Sequence, residues 1–127
     1  MSGRALRSAT VLAVLIAAAE PSAAQGLRDS DATFDAPGLS DVLSGQTLEF
    51  FDGSLARYAA DEGYEYRYRP DGPPFVGAWR TTEQSEVCVT FDNGFSRCDV
   101  IVRSGARLVL ITGDGVRFPV REVRPNS

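Results

Sequence analysis

The sequence predicts an all-β, single-domain antiparallel meander of about eight short strands, forming a curled sheet or a small barrel with one disulfide. Three observations carry this. From Thr47 onward apolar residues recur with period two. Turn residues interrupt them at short intervals. The only two cysteines, Cys88 and Cys98, flank one of those turns. No segment beyond Gly45 carries a helical stripe. Connections this short force antiparallel neighbours, because a parallel link needs a long crossover.

The start of the chain reads as an export signal over residues 1–24. Arg4 and Arg7 precede an uncharged apolar run from Ala9 to Ala19, and Ser22 and Ala24 fit an A-x-A-like cleavage site. That run is well short of the roughly 20 residues a spanning helix needs. No cysteine follows the site, so a lipid anchor has no attachment residue. The expectation is cleavage after Ala24, no membrane anchor afterwards, and a periplasmic or secreted protein.

Charge excludes some partners. The chain has 13 basic residues, all Arg, against 17 Asp and Glu, and no His. Loss of Arg4, Arg7 and Glu20 with the signal leaves a still more acidic chain. Without a basic stripe, nucleic acid and anionic lipid are poor partners, since both are bound by neutralising phosphates. A domain this small gains from a covalent staple, and an exported one keeps it oxidised.

Residues 25–44 are polar and aperiodic at first and read as a flexible leader. Within them "LSDVLSG" suits a short helix, with Leu39, Val42 and Leu43 on one side and Gly45 as the stop. The β domain spans 45–124. Strands are expected near 47–51, 55–60, 64–69, 75–82, 87–91, 95–103, 107–112 and 116–123. Pro119 lacks an N–H and favours an edge position for the last strand, which weighs against closure.

Register follows from aligning apolar faces. In the first hairpin a three-residue loop sets Leu48 opposite Tyr58 and Glu49 opposite Arg57. In the second, a loop with Gly63 left-handed pairs Ala60 with Tyr64 and Tyr58 with Tyr66. For Asp92-Asn93-Gly94, a three-residue loop with Gly94 left-handed pairs Phe91 with Phe95 and Cys88 with Cys98. The cysteine pair is then non-hydrogen-bonded, with Cα atoms about 4.5 Å apart, inside disulfide range. Zinc would want four ligands, and a Cys-x-x-Cys spacing is missing, so a structural disulfide is the reading.

Strands five to seven are apolar on both sides. Cys88, Cys98, Val100, Val102, Leu108 and Leu110 are expected on one face; Val87, Val89, Phe91, Phe95, Ile101, Val109 and Ile111 on the other. Doubly apolar strands are normally covered twice. The second cover is either the same chain or a protein partner or second subunit. Tyr64, Tyr66, Tyr68 and Trp79 share one face with Phe75. They form either core or a barrel-mouth pocket for a small apolar or sugar-like ligand.

Catalysis has little to work with. There is no His, and most acids sit at turns. Asp99 is the exception, lying on an apolar face with Arg97 or Arg107 to neutralise it. It is the one candidate for a carboxylate-dependent hydrolase. No metal or cofactor motif is present: the glycines are spaced as turns, not as a phosphate cradle.

Two resemblances follow. Gly77-Ala78-Trp79 resembles the Gly-x-Trp of lipocalins, although here it falls on the fourth strand rather than the first, and it implies no ligand site. Over residues 39–123, "LSGQTLEFFDG", "YEYRYRPDG", "FVGAWRTTE", "EVCVTFDNGFSRC" and a late "GDG" are similar to small exported alphaproteobacterial proteins of unknown function. That resemblance implies an envelope location and no activity. The expected role is an exported, non-enzymatic binding or interaction module, with a small-ligand-binding barrel as the alternative.

Overall fold

The computed structural model describes residues 25–127; the signal reading of 1–24 lies outside them. Ten elements follow in chain order. They are β1 (Asp31–Ala32), α1 (Ala36–Leu43), β2 (Gln46–Phe50), β3 (Leu55–Tyr58), β4 (Gly63–Arg67), β5 (Phe75–Thr81), β6 (Glu86–Phe91), β7 (Ser96–Ser104), β8 (Arg107–Ile111) and β9 (Arg117–Pro125). Each strand from β2 to β9 pairs antiparallel with the next, and β9 returns to β2. Eight strands thus close into a barrel, with β1 added beside β7.

Pro119 does not hold the sheet open. Val109–Pro119 is the last pair between β8 and β9, and from Val120 onward β9 pairs with β2. The missing N–H falls where the strand changes partners.

Most connections share one device. Loops 51–53, 92–94 and 113–115 have three residues and end on Gly53, Gly94 and Gly115, with φ near +90°. Only glycine takes that conformation without strain. Glu62 and Ser85 fill the same left-handed position at the other end of the barrel. Their carbonyls are used by the next strand: Glu62 O accepts from Trp79 N at 2.9 Å and Ser85 O from Ile101 N at 2.8 Å. These bonds offset a conformational cost of about 1 kcal/mol each.

This grammar corrects two registers. In the first hairpin the loop is 51–53, so Leu48 faces Ala56 rather than Tyr58. In the second the left-handed residue is Glu62, so Tyr58 faces Tyr64 and Ala56 faces Tyr66. Both slips are of two residues, so every side chain keeps its face. The third hairpin follows the expectation, with Cys88 opposite Cys98, Cα atoms 4.0 Å apart and a disulfide between them.

One slip is odd and has consequences. The β7–β8 turn has two residues, Gly105 and Ala106, and pairs Ile101 with Leu110 and Val102 with Val109. Leu108 and Leu110 therefore share the barrel interior with Ile101. Val109 and Ile111 turn outward with Val100 and Val102, the reverse of the expected assignment. These four outward residues form a second buried cluster. Segment 25–32 lies against it: Gly26 sits on Ile111 with no room for a Cβ, and Arg117 binds the Gly26 carbonyl. Of the two covers expected for the doubly apolar strands, the same chain or a partner or second subunit, the same chain buries these four residues here.

The leader is anchored rather than loose. Arg117 clamps Asp31 with two bonds of 2.7 and 3.0 Å, and holds its carboxyl below the usual carboxylate range. Two paired residues are too few to give a periodic signal. Next, α1 starts earlier than expected, because Asp35 caps it: its carboxylate accepts from Gly38 N at 2.8 Å. Leu39 and Leu43 are fully buried and close one end of the barrel.

Candidate functional site

The two ends of the barrel differ. At the α1 end the interior is filled. Trp79 is 4% exposed, donates from Nε1 to Ala59 O at 2.9 Å, and meets the Tyr58 ring edge-on at 5.4 Å. The single tryptophan is a core residue and does not reach any opening.

At the other end the loops 51–53, 68–74, 92–94 and 112–116 surround an open mouth of about 470 Å³. Alternation brings its walls together. Tyr64 and Tyr66 come from β4, Phe75 from β5, Phe91 from β6, Leu110 from β8, and Phe118 from β9. Tyr64 packs edge-on against Tyr58 at 5.2 Å and Phe91 at 5.9 Å. Tyr68 stands almost perpendicular to both Tyr66 and Phe75, with centroids 5.0 and 5.6 Å away. Nearer the rim, Tyr68, Phe75, Phe95 and Phe118 are exposed aromatics.

The mouth has a polar patch. Arg97 and Asp99, both pointing inward from β7, form a bidentate pair with two bonds of 2.8 Å. Asp99 is buried while Arg97 stays half exposed. The bond to Asp99 raises the Arg97 guanidinium above its ordinary value, so it is charged at any working pH. Arg107, the other candidate neutraliser, lies elsewhere and donates to Val120 O. Tyr64 is 9% exposed, and its hydroxyl has no hydrogen-bond partner among the described residues. Burial pushes its ionisation far above the ordinary phenol value.

Of the residues singled out in the sequence, Tyr64, Tyr66, Tyr68 and Asp99 meet in the mouth. Trp79 does not, and the disulfide lies on the outer wall, where Cys98 is exposed. Phe50, Phe91, Phe118 and Arg97 were not singled out as pocket residues. Their parity on the strands was readable, but which strands meet at one end depends on closure. No group of three or more metal-ligating side chains occurs among the described residues. No described helix is long and apolar enough to cross a membrane. Comparisons with protein families, curated proteins and solved structures found no match to this chain.

Proposed function

We propose that the protein is an exported, non-enzymatic binding module that takes a small ligand into the aromatic mouth of its barrel. The observation that carries this is the mouth itself: about 470 Å³, walled by aromatic rings, with a buried and unpartnered phenol facing it. Ligand sites are typically concave, largely apolar, and supplied with a few fixed polar groups. An eight-stranded barrel is wide enough to hold one small ligand. Buried polar groups are nearly always satisfied, so the Tyr64 hydroxyl marks a place for a ligand or water atom. The signal pattern of residues 1–24 and the disulfide support export.

Catalysis is the weaker reading, because Asp99 has both oxygens engaged by Arg97 and Asp52, the other carboxylate lining the mouth, accepts from Ser54. The partner reading loses its surface, since Val100, Val102, Val109 and Ile111 are buried.

The test uses the neutral fluorescent probe N-phenyl-1-naphthylamine, titrated against the oxidised protein. Enhanced, saturable fluorescence is expected, weakened tenfold or more when Phe75→Ala and Phe118→Ala are combined. Val123→Ala, an exposed residue away from the mouth, is the control. Failure of the probe to bind, or binding indifferent to the mouth variants, overturns the proposal.

A further inference from the structure

Resting on the ligand-binding reading of the mouth, we infer that its ligand is a neutral, hydroxyl-bearing ring of the sugar class. The ring's hydroxyls would meet Arg97, Asp99 and Tyr64, and its C–H faces would lie on Tyr66, Phe75 and Phe91.

The polar patch has unused hydrogen-bonding capacity. Each Asp99 oxygen accepts one N–H from Arg97 and keeps a second lone pair. The guanidinium has five N–H donors and spends two on Asp99. Tyr64 has a hydroxyl that both donates and accepts, held neutral by burial. The patch therefore offers donors and acceptors side by side. A hydroxyl uses both at once through a single atom, and adjacent hydroxyls match an adjacent carboxylate and guanidinium.

Charge narrows the class further. Each of the four loops around the mouth carries one aspartate: Asp52, Asp71, Asp92 and Asp114. The only basic residue in those loops, Arg69, is paired with Asp71 at 3.2 Å. An anionic ligand would approach three unbalanced carboxylates and then meet Asp99. A cationic ligand would meet the half-exposed Arg97. A purely apolar ligand would strip water from the ion pair and from Tyr64 without replacing it, at about 1–3 kcal/mol for each group left unsatisfied. A neutral ring with hydroxyls avoids all three costs.

The walls suit the rest of such a ring. The Tyr68 ring stands at 87° to Tyr66 and 88° to Phe75, so its face turns in a different direction from either of theirs. Flat, rigid aromatic faces give contact area to C–H groups at little entropic cost. The volume suits one or two sugar rings rather than a long chain.

The experiment compares phenyl glycosides of glucose, galactose and N-acetylglucosamine with phenyl glucuronide, phenyltrimethylammonium and benzyl alcohol, using calorimetry and ligand-detected NMR. At least one neutral glycoside is expected to bind tenfold or more tightly than all three comparators. Tyr64→Phe, which keeps the ring and its packing, is expected to weaken that glycoside fivefold or more, and Asp99→Asn likewise, whereas Val123→Ala, away from the mouth, leaves it unchanged. Tyr64→Phe decides the matter if the Asn variant fails to fold. Equal or tighter binding of the glucuronide, the ammonium or benzyl alcohol overturns the inference but leaves the mouth as a ligand site. The same holds if the naphthylamine alone binds. If nothing binds, the inference and the ligand-binding reading fall together.

Discussion

Tyr58 and Tyr64 are the buried tyrosines of the barrel. Burial pushes both phenols above their ordinary value of about 10, and the nearby Tyr64 adds to the shift of Tyr58. A pKa raised on folding means that the native state holds the proton more tightly than the unfolded chain does. The stabilisation is complete below the unfolded value and is lost as pH rises above about 10. Alkaline titration of tyrosinate absorbance at 295 nm is therefore expected to show Tyr58 and Tyr64 ionising only together with loss of the folded circular dichroism signal. Ionisation of both while the protein stays folded would contradict the burial. The shared face of these tyrosines was legible from alternation alone. Their division into core and mouth was not, because position along the barrel axis depends on how strands from distant parts of the chain line up.

Hairpins show where pattern determines register and where it does not. The cysteine hairpin was legible because Gly94, the aromatic pair Phe91 and Phe95, and the two cysteines all agree on one alignment. In β8 the apolar pattern conflicts with nothing and chooses nothing. Leu108 and Leu110 are as apolar as Val109 and Ile111, so a one-residue difference in turn length inverts the strand without any penalty visible in the sequence. The helix start at Asp35 was within reach, since Asp-Ala-Pro carries both a cap and a first-turn proline. Two expectations attach to these elements. Opening the Cys88–Cys98 bridge, by reductant or by Ala at both positions, is expected to cost roughly 3 kcal/mol or less in urea unfolding, since the loop it closes is short. Because the bridge lies on the outer wall, probe affinity at the mouth stays unchanged; a coupled loss of affinity would place it in the site. At β1, Asp31 has a carboxyl pKa held below its unfolded value by Arg117. Its contribution is present above the unfolded value near 4 and is lost as pH falls through the native one. Asp31→Asn is thus expected to destabilise by on the order of 1 kcal/mol at pH 7, with wild type and variant converging as pH falls through the native value. Parallel curves at every pH would show that the ion pair contributes nothing.

At the scale of the whole molecule, closure divides one interior into two compartments with different jobs. The lower one is sealed by Leu39 and Leu43 of α1 over Trp79, Val87 and Ile101, and it supplies most of the buried apolar contact. The upper one leaves aromatic surface in water. Between them the edge-on stack Trp79–Tyr58–Tyr64–Phe91 crosses the barrel as a rigid partition. Rings interlocked this way leave little room for one compartment to sense a small change in the other. Stability and binding should then respond to different residues. Leu39→Ala creates a cavity under the partition and is expected to cost about 2–5 kcal/mol. A small domain with about 5–15 kcal/mol in hand can lose this and stay folded. Affinity for N-phenyl-1-naphthylamine should stay within twofold, measured well below the unfolding midpoint. Combined Phe75→Ala and Phe118→Ala, at positions nearly half exposed, should do the reverse. These mouth substitutions are expected to shift the unfolding midpoint little and to weaken the probe tenfold or more. If Leu39→Ala weakened the probe as strongly as the mouth variants do, the partition would not be rigid. The interior would then have to be treated as one deformable cavity running the length of the barrel.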